Sequence, residues 1–143
     1  MTPEADQILN LSAMQILGSL APLLPPGYAQ GTASLVAFMM MLSAQEYGRA
    51  AEIRAAENTA MRALFAELAP TLSDAALAAK LKAASAQEDK SLAIAALDAA
   101  NADLRRLLIA LHAAVESEPE ANAKVWRVLT AMADGRLLKL PGS

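Results

Sequence analysis

From Gly31 to Ala69 the chain runs for about forty residues without a proline, and alanine and leucine are its most frequent residues. Both residue types favour the α-helix, and proline is the residue that most often interrupts one, so this stretch predicts one very long helix. A straight helix of that length would span about 60 Å, whereas a compact chain of this size is less than about 40 Å across. The stretch therefore indicates an elongated bundle or a bend, for which Gly48 is the best-placed residue, and the sequence leaves both alternatives open.

The composition extends the helical prediction to the whole chain. Alanine and leucine supply 58 of the 143 residues, and aromatic residues only 3%. Scarce β-branched and aromatic residues make a β-sandwich a poor fit. We therefore predict an all-α fold, an antiparallel bundle of four to five helices with two long central helices, the second and the fourth, antiparallel to each other. We expect one domain over residues 1–143, with an apolar C-terminal tail at 135–143.

Capping patterns place the other helices. Thr2 is expected to cap a first helix that runs to about Leu20 and stops before Pro22. That helix is apolar all round, which predicts burial on most sides, either at a central position or at a subunit interface. A third helix is expected at about Asp74–Ala86, and a fourth from the capping box Ser85–Glu88 to about Glu116. A fifth helix is expected to begin at the capping box Ser117–Glu120, and Gly135 is expected to be the residue after its C-cap.

Charge narrows the classes of partner. The pI is near 5.1 and no cluster of Lys or Arg is present, so the sequence lacks the basic patch of a nucleic-acid-binding protein. Residues 1–48 contain no Lys or Arg, and their acidic residues are Glu4, Asp6 and Glu46. The apolar run Leu35–Leu42 is far shorter than the roughly 20 residues that span a bilayer. A membrane protein is therefore not expected, and the Ala/Leu/Arg-rich usage suggests a bacterial, cytoplasmic protein.

Several chemistries are closed to this chain. It has no cysteine and one histidine, which excludes disulfides, thiolate metal sites and any site that needs two imidazoles from one chain. Di-iron bundles use a Glu-x-x-His pair, but the residue three before His112 is Ile109. Consecutive methionines at 39–41 point about 100° apart on a helix and cannot converge on one ion. We predict no metal, no cofactor and no catalytic constellation.

Charged residues on the second helix form the candidate ligand-binding set. We place Glu46, Arg49 and Glu57 on its inner face, where burial requires pairing, and Glu46 and Arg49 can pair at i,i+3 spacing. His112 lies at the edge of the fourth helix's apolar arc, and Glu46 or Glu57 could orient it as a base. The other residues expected on the inner face of the second helix are Leu35, Phe38, Met39, Leu42, Ile53, Ala60, Leu64 and Leu68. On the fourth helix we expect a polar strip of Asp98, Asn101, Arg105 and His112. The opposite arc of that helix, which includes Leu92, is expected to face the core.

Two functional hypotheses follow. The first helix and the stretch from Phe38 to Leu42 carry more apolar surface than one thin bundle can cover, so we expect a second chain to cover it. The protein is then a non-enzymatic helical interaction protein or small subunit, either a homo-oligomer, in the simplest case a homodimer, or bound to a protein partner. The alternative is a small-molecule-binding bundle, possibly an acid–base enzyme, with Glu46, Arg49, Glu57 and His112 around a pocket between helices. An internal salt bridge is the simpler explanation of the same charges.

Overall fold

The computed structural model describes residues 4–139, and every regular element in that range is helical. The α-helices are α1 (Ala5–Gln15), α2 (Tyr28–Leu68), α3 (Ala75–Ser85), α4 (Ile94–Val115) and α5 (Pro119–Gly135). Short 3₁₀ turns follow α1 at Ala21–Leu23 and α2 at Ala69–Thr71. The all-α prediction is confirmed, and the expected cap at Thr2 lies outside the described residues.

Proline explains how the first helix ends. Pro22 has no N–H to donate to the carbonyl four residues back, so the helical ladder cannot continue unchanged through it. The chain widens into a π-helical turn at Ile16–Leu20, where the N–H of Ala21 donates to the carbonyl of Ile16. The first helical segment therefore reaches Leu20 as expected, but only its first eleven residues are α-helical.

The long second helix is confirmed as one uninterrupted element of 41 residues. Helical hydrogen bonding continues through Gly48, whose φ is not positive and around which a Cβ would meet no atom within 4 Å. Gly48 thus does not break α2. The glycine that does need left-handed backbone is Gly27, with φ 135°, in the turn that precedes α2.

Internal contacts divide the chain into two compact units, and the boundary falls inside α2. The first unit comprises residues 4–50 and 138–139 of the described chain, and the second comprises residues 51–137. The C-terminal segment joins the first unit through Gln45, whose Nε2 donates to the Lys139 carbonyl at 2.8 Å while its Oε1 accepts from the Lys139 N–H at 3.0 Å. The side-chain amide of Gln45 thus pairs with a backbone peptide unit of the tail.

The second unit holds a hydrophobic core. The segment Thr71–Asp74 offers two alternative N-caps for α3, and the structure uses Asp74, which accepts from the N–H groups of Ala76 and Leu77 at 2.9 and 3.0 Å. The spacing of Val125, Val128, Leu129 and Met132 predicts one apolar face on α5, which is confirmed: Val125 and Met132 are buried and the other two are partly buried. The largest core side chains come from all four helical segments of this unit: Met61, Leu64, Phe65, Leu68, Leu81, Leu104, Leu108, Leu111, Val115, Val125 and Met132.

Consecutive helices of this unit are antiparallel, but its two long helices are not. Glu67 pairs with Lys124 and Glu57 with Arg136, so position rises along α5 as it falls along α2. Asp98 of α4 contacts Arg54 and Asn101 contacts Glu57, so position rises along α4 as it rises along α2. Helix α4 therefore runs parallel to the second half of α2, and the expected antiparallel pairing of these two was wrong. A third helix between them reverses the chain twice.

The start of α4 also differs from the prediction. The box Ser85–Glu88 does not begin a helix; residues 86–93 form a loop, and Ala93 precedes the first helical residue, Ile94. Leu92 lies in that loop and is 73% exposed, so it is not a core residue. At the other end of the unit, Gly135 is the last residue of α5 and Arg136 its C-cap, two residues later than expected.

Small residues are the buried ones in the first unit. Ala13, Ala37 and Ala44 are at most 2% exposed. A central position for the first helix within one chain was wrong, because most of its large apolar side chains are exposed; its burial at a subunit interface stays a prediction. Leu35 and Met39 of α2 are also outside, at 58% and 59% exposure, and not on an inner face. Alanine has no side chain beyond Cβ, so helices can approach closely on that face and leave the bulkier residues on the outside.

Candidate functional site

Glu57 is a buried carboxylate with strong partners in the second unit. It is 4% exposed, and Arg136 contacts both of its oxygens, Nε to Oε1 at 2.5 Å and Nη2 to Oε2 at 2.8 Å. Asn101 of α4 donates a further hydrogen bond to Oε2 at 2.9 Å. The sequence correctly required a partner for this charge, and the partner is the residue that caps α5.

Two buried amides extend this contact into a network. Asn58 is fully buried and Asn101 is 4% exposed. Asn101 Nδ2 donates to Asn58 Oδ1 at 3.0 Å, and Asn58 Nδ2 donates to Asp89 Oδ1 at 3.1 Å and Oδ2 at 3.2 Å. Arg62 Nη2 then donates to Asp89 Oδ1 at 2.7 Å. We call the six side chains the polar network: Glu57, Asn58, Arg62, Asp89, Asn101 and Arg136.

The polar network ties four parts of the second unit together. Three of its members come from α2, one from the loop before α4, one from α4 and one from the end of α5. Asp89 explains why residues 86–93 are not helical, since its carboxylate bridges Asn58 and Arg62 of α2. Asn101, expected on an outward polar strip, is a core residue, and this expectation was wrong. Arg62 Nε is buried without a hydrogen-bond partner, whereas the other buried polar groups of the network satisfy one another and so favour one packing arrangement over its neighbours.

Both carboxylates of the network favour the charged form. Burial by itself raises the pKa of Glu57, but the hydrogen bonds from Arg136 and Asn101 and the charges of Arg136 and Arg105 outweigh it, so this pKa is below its ordinary value. The hydrogen bond from Arg62 lowers the pKa of Asp89, burial opposes it, and the hydrogen bond from Asn58 adds to the lowering. Both groups are therefore ionised at neutral pH.

This polar network predicts loss of stability in acid. A carboxylate whose folded pKa is depressed contributes stability that is complete above its unfolded pKa, about 4, and lost as pH falls through the folded pKa. Urea unfolding at pH 7, 5, 4 and 3 should show the unfolding free energy falling from about pH 5 downward. Glu57→Gln with Asp89→Asn should flatten that fall, whereas Glu52→Gln, on an exposed side chain, should not. An unchanged slope in the double variant would contradict the role given to the network.

The predicted ligand-binding residues fall into both units. Glu46 and Arg49, both half-buried, belong to the first unit, and Glu57 and His112 belong to the second. Glu57 already accepts hydrogen bonds on both oxygens. Their predicted role in ligand binding stays a prediction.

His112 has a different partner from those expected. Its Nε2 lies 3.1 Å from Asn122 Oδ1 on α5, and its ring meets Trp126 edge to face with centroids 5.4 Å apart. Asn122 Nδ2 in turn donates to the Glu116 carbonyl at 3.3 Å. A neutral amide oxygen orients the imidazole here, and the expected carboxylate partners Glu46 and Glu57 do not take that place. The arrangement joins the ends of α4 and α5.

The ion pairs of Asp103 and Arg54 also differ from the expected ones. The position of Asp103 near the apolar arc of the fourth helix predicts a pair with Arg49 or Arg54, but Asp103 contacts Arg106 on its own helix at 2.5 Å. Arg54 instead contacts Asp98 of α4 at 2.5 Å. Within residues 4–139, no three His, Asp or Glu side chains are grouped so that they could hold a metal ion.

The first unit presents an unusual outer surface. Eleven of the sixteen large apolar side chains that are exposed in the described chain belong to this smaller unit. We call them the apolar surface: Ile8, Leu11, Met14, Leu17, Leu20, Leu23, Tyr28, Leu35, Val36, Met39 and Tyr47. Residues 7–45 contain no Asp, Glu, Lys, Arg or His, so almost no charge interrupts it.

The exposed threonine and serine hydroxyl groups of Thr32 and Ser43, on α2 in this unit, are bonded internally. Thr32 Oγ1 donates to the Tyr28 carbonyl at 2.8 Å, and Ser43 Oγ donates to the Met39 carbonyl at 2.9 Å. Both residues are exposed, and both could have bonded to water. A hydroxyl whose proton is already used in this way loses little when another surface excludes water from it. The apolar surface can therefore be covered without leaving these donors unsatisfied.

No helix among the described residues is both long and apolar enough to span a membrane. Comparison of the chain with protein-family models, with curated proteins and with solved structures found no match. The function must therefore be argued from the two features above, the polar network and the apolar surface.

Proposed function

We propose that this protein is a non-enzymatic helical interaction protein that associates with copies of itself through the apolar surface of its first unit. The single observation that supports this most strongly is the exposure of that surface, with Leu11 65%, Leu35 58% and Met39 59% exposed. Soluble monomers rarely leave contiguous apolar patches of more than a few hundred Å² in contact with water.

The size of the apolar surface fits a protein interface. Taking about 60–120 Å² for a fully exposed aliphatic side chain and about 150–250 Å² for an aromatic one, its members expose roughly 500–1,000 Å². A standard interface takes about 800 Å² from each partner. The eleven side chains together thus expose about the area that one partner of a standard dimer buries.

The absence of charge supports a second copy as the partner. In a two-fold contact the same patch meets itself, so every charged side chain near the axis would meet its own sign. Residues 7–45 avoid this conflict because they carry no charged side chain. A membrane surface fits less well, since peripheral helices usually add Lys or Arg for anionic lipids, and residues 1–48 have neither.

The polar network supports the same proposal because it accounts for a carboxylate on which the ligand-binding alternative depends. Glu57, the carboxylate of the ligand-binding alternative, is held by Arg136 and Asn101, which gives it a structural role. The geometry therefore supports an interaction protein better than a ligand-binding bundle or an acid–base enzyme. Composition supports a bacterial cytoplasm as the setting, and a homodimer is the simplest assembly.

Sedimentation equilibrium at micromolar concentration tests the proposal. The chain of 14.9 kDa should sediment as a dimer or larger species, and Leu35→Glu should weaken association at least tenfold by placing a charge in the interface. Ile109→Glu is the matched control, because Ile109 is 70% exposed but belongs to the second unit, and this change should leave association unaltered. A wild-type protein that remains at 14.9 kDa up to tens of micromolar would refute self-association.

A further inference from the structure

One exposed stripe of α2, which combines four residues of the apolar surface with two hydroxyl residues, has a pattern that is nearly the same in both directions along the helix. Six exposed residues of α2 follow each other at spacings of 4, 4, 3, 4 and 4. Because a helix turns by about 100° per residue, all six fall within an arc of about 100°. We call them the outer stripe: Tyr28, Thr32, Val36, Met39, Ser43 and Tyr47.

The chemistry of the outer stripe is symmetric as well as its spacing. Its two ends are tyrosines, with Tyr28 92% and Tyr47 53% exposed. Its two hydroxyl residues, Thr32 and Ser43, stand at equal distances from the centre, and each is bonded to the carbonyl four residues before it. The central pair, Val36 and Met39, is apolar and exposed by 46% and 59%.

We infer that the second copy packs its own outer stripe antiparallel against this one, about a two-fold axis that passes between Val36 and Met39. Tyr28 of each copy then faces Tyr47 of the other, Thr32 faces Ser43, and Val36 faces Met39. This inference rests on the proposed self-association and specifies its geometry. A symmetric pattern is what an antiparallel pair requires, because the contact positions of each helix must match their own reversal.

Side-chain size supports close contact in this arrangement. Measured as an angle around the helix axis, Thr32 and Ser43 lie near the middle of the arc that the outer stripe covers, so in this arrangement they point directly at the partner. The two tyrosines lie at the edges of that arc. Small side chains at the centre of a contact let two helix axes approach closely, and larger ones at the edges close over the sides. The tyrosine hydroxyls remain at the rim, where they can reach water.

Charge favours antiparallel over parallel packing. Glu46 borders the outer stripe. In a parallel pair the two copies of Glu46 would lie at the same height and repel each other. In the antiparallel pair Glu46 faces Ala29 of the other copy, and the two carboxylates are about 25 Å apart along the axis, well beyond the screening length at physiological salt.

Cysteine cross-linking tests this geometry without background, because the chain contains no cysteine. Thr32→Cys and Ser43→Cys are prepared as two separate variants, and each alone and an equimolar mixture are oxidised with diamide. The mixture should give a covalent dimer, since facing positions meet the distance of about 4.4–6.8 Å between Cα atoms that a disulfide needs. Each variant alone should remain uncrosslinked, because its two thiols would be about 16 Å apart along the axis.

The other outcomes separate the two proposals. Cross-linking of Thr32→Cys with itself indicates a parallel pair and overturns the antiparallel inference. No cross-linking in the mixture, with a dimer still seen by sedimentation of the reduced variants, places the interface on another face and also overturns it. Reduced variants and wild type that are all monomeric overturn the proposed function itself. A matched control mixture, Ile109→Cys with Ser43→Cys, reports random collision and should stay uncrosslinked.

Discussion

Arg136→Met should lower the unfolding free energy by about 3 kcal/mol in urea. The substitution leaves the buried carboxylate of Glu57 without its two charge-assisted hydrogen bonds, and removing one partner of a buried pair typically costs about 3–5 kcal/mol. We expect the lower end of that range because the Arg136 side chain is 39% exposed, so water can reach part of the gap.

Arg106→Met is the matched control. Its pair with Asp103 has a similar distance, 2.5 Å, but both side chains are more than 70% exposed, so its loss should cost no more than about 1 kcal/mol. Glu57→Gln combined with Arg136→Met should cost less than the sum of the two single changes, because the second change then removes no remaining charge pair. Equal effects of Arg136→Met and Arg106→Met would show that Glu57 is hydrated and that the polar network contributes little.

The helices could be predicted from the sequence because their signals are local. A capping aspartate at Asp74, a proline-free run ending at Pro70 and a helix-starting proline at Pro119 each act within one turn. Most of the buried apolar residues of the second unit could be predicted as well, because the spacing of apolar residues along a helix is also a local signal. The first residue of α4 could not be predicted from the local sequence. Asp89, in the loop before α4, is held by residues of α2 that are distant in the sequence.

Asn101 shows what spacing alone could have found. It stands four residues after Leu97 and three before Leu104, which places it on the buried stripe of α4 as well as near the polar strip that includes Asp98. A polar residue at a core position predicts a buried partner. The partner itself, Glu57 with Asn58, could not be read from the sequence because helix directions decide which residues face each other, and α4 runs parallel to α2.

The outward face of the first unit was unpredictable for a different reason. A helix that is apolar all round has no periodic signal to show which side faces inward. The residues buried there are Ala13, Ala37 and Ala44, whose small side chains permit close helix contact, and most of the larger side chains are exposed. The predicted excess of apolar surface did correctly anticipate that such residues would be exposed, although their covering by a second chain stays a prediction.

Asn58→Asp should be among the most damaging single changes in the second unit, lowering the unfolding free energy by about 3–5 kcal/mol. The change adds no volume and no cavity, but it replaces the amide that donates to both oxygens of Asp89 with a second carboxylate. Asn58 is fully buried, so two like charges would meet away from water.

The double variant N58D/D89N restores one carboxylate and one amide at the same contact and should recover at least half of the loss. Urea unfolding at pH 7 measures both, with Thr59→Asp on the neighbouring exposed position as a control that should cost under about 1 kcal/mol. Failure of the second change to rescue the first would mean that Asn101 and Arg62, not the contact between positions 58 and 89, determine the cost.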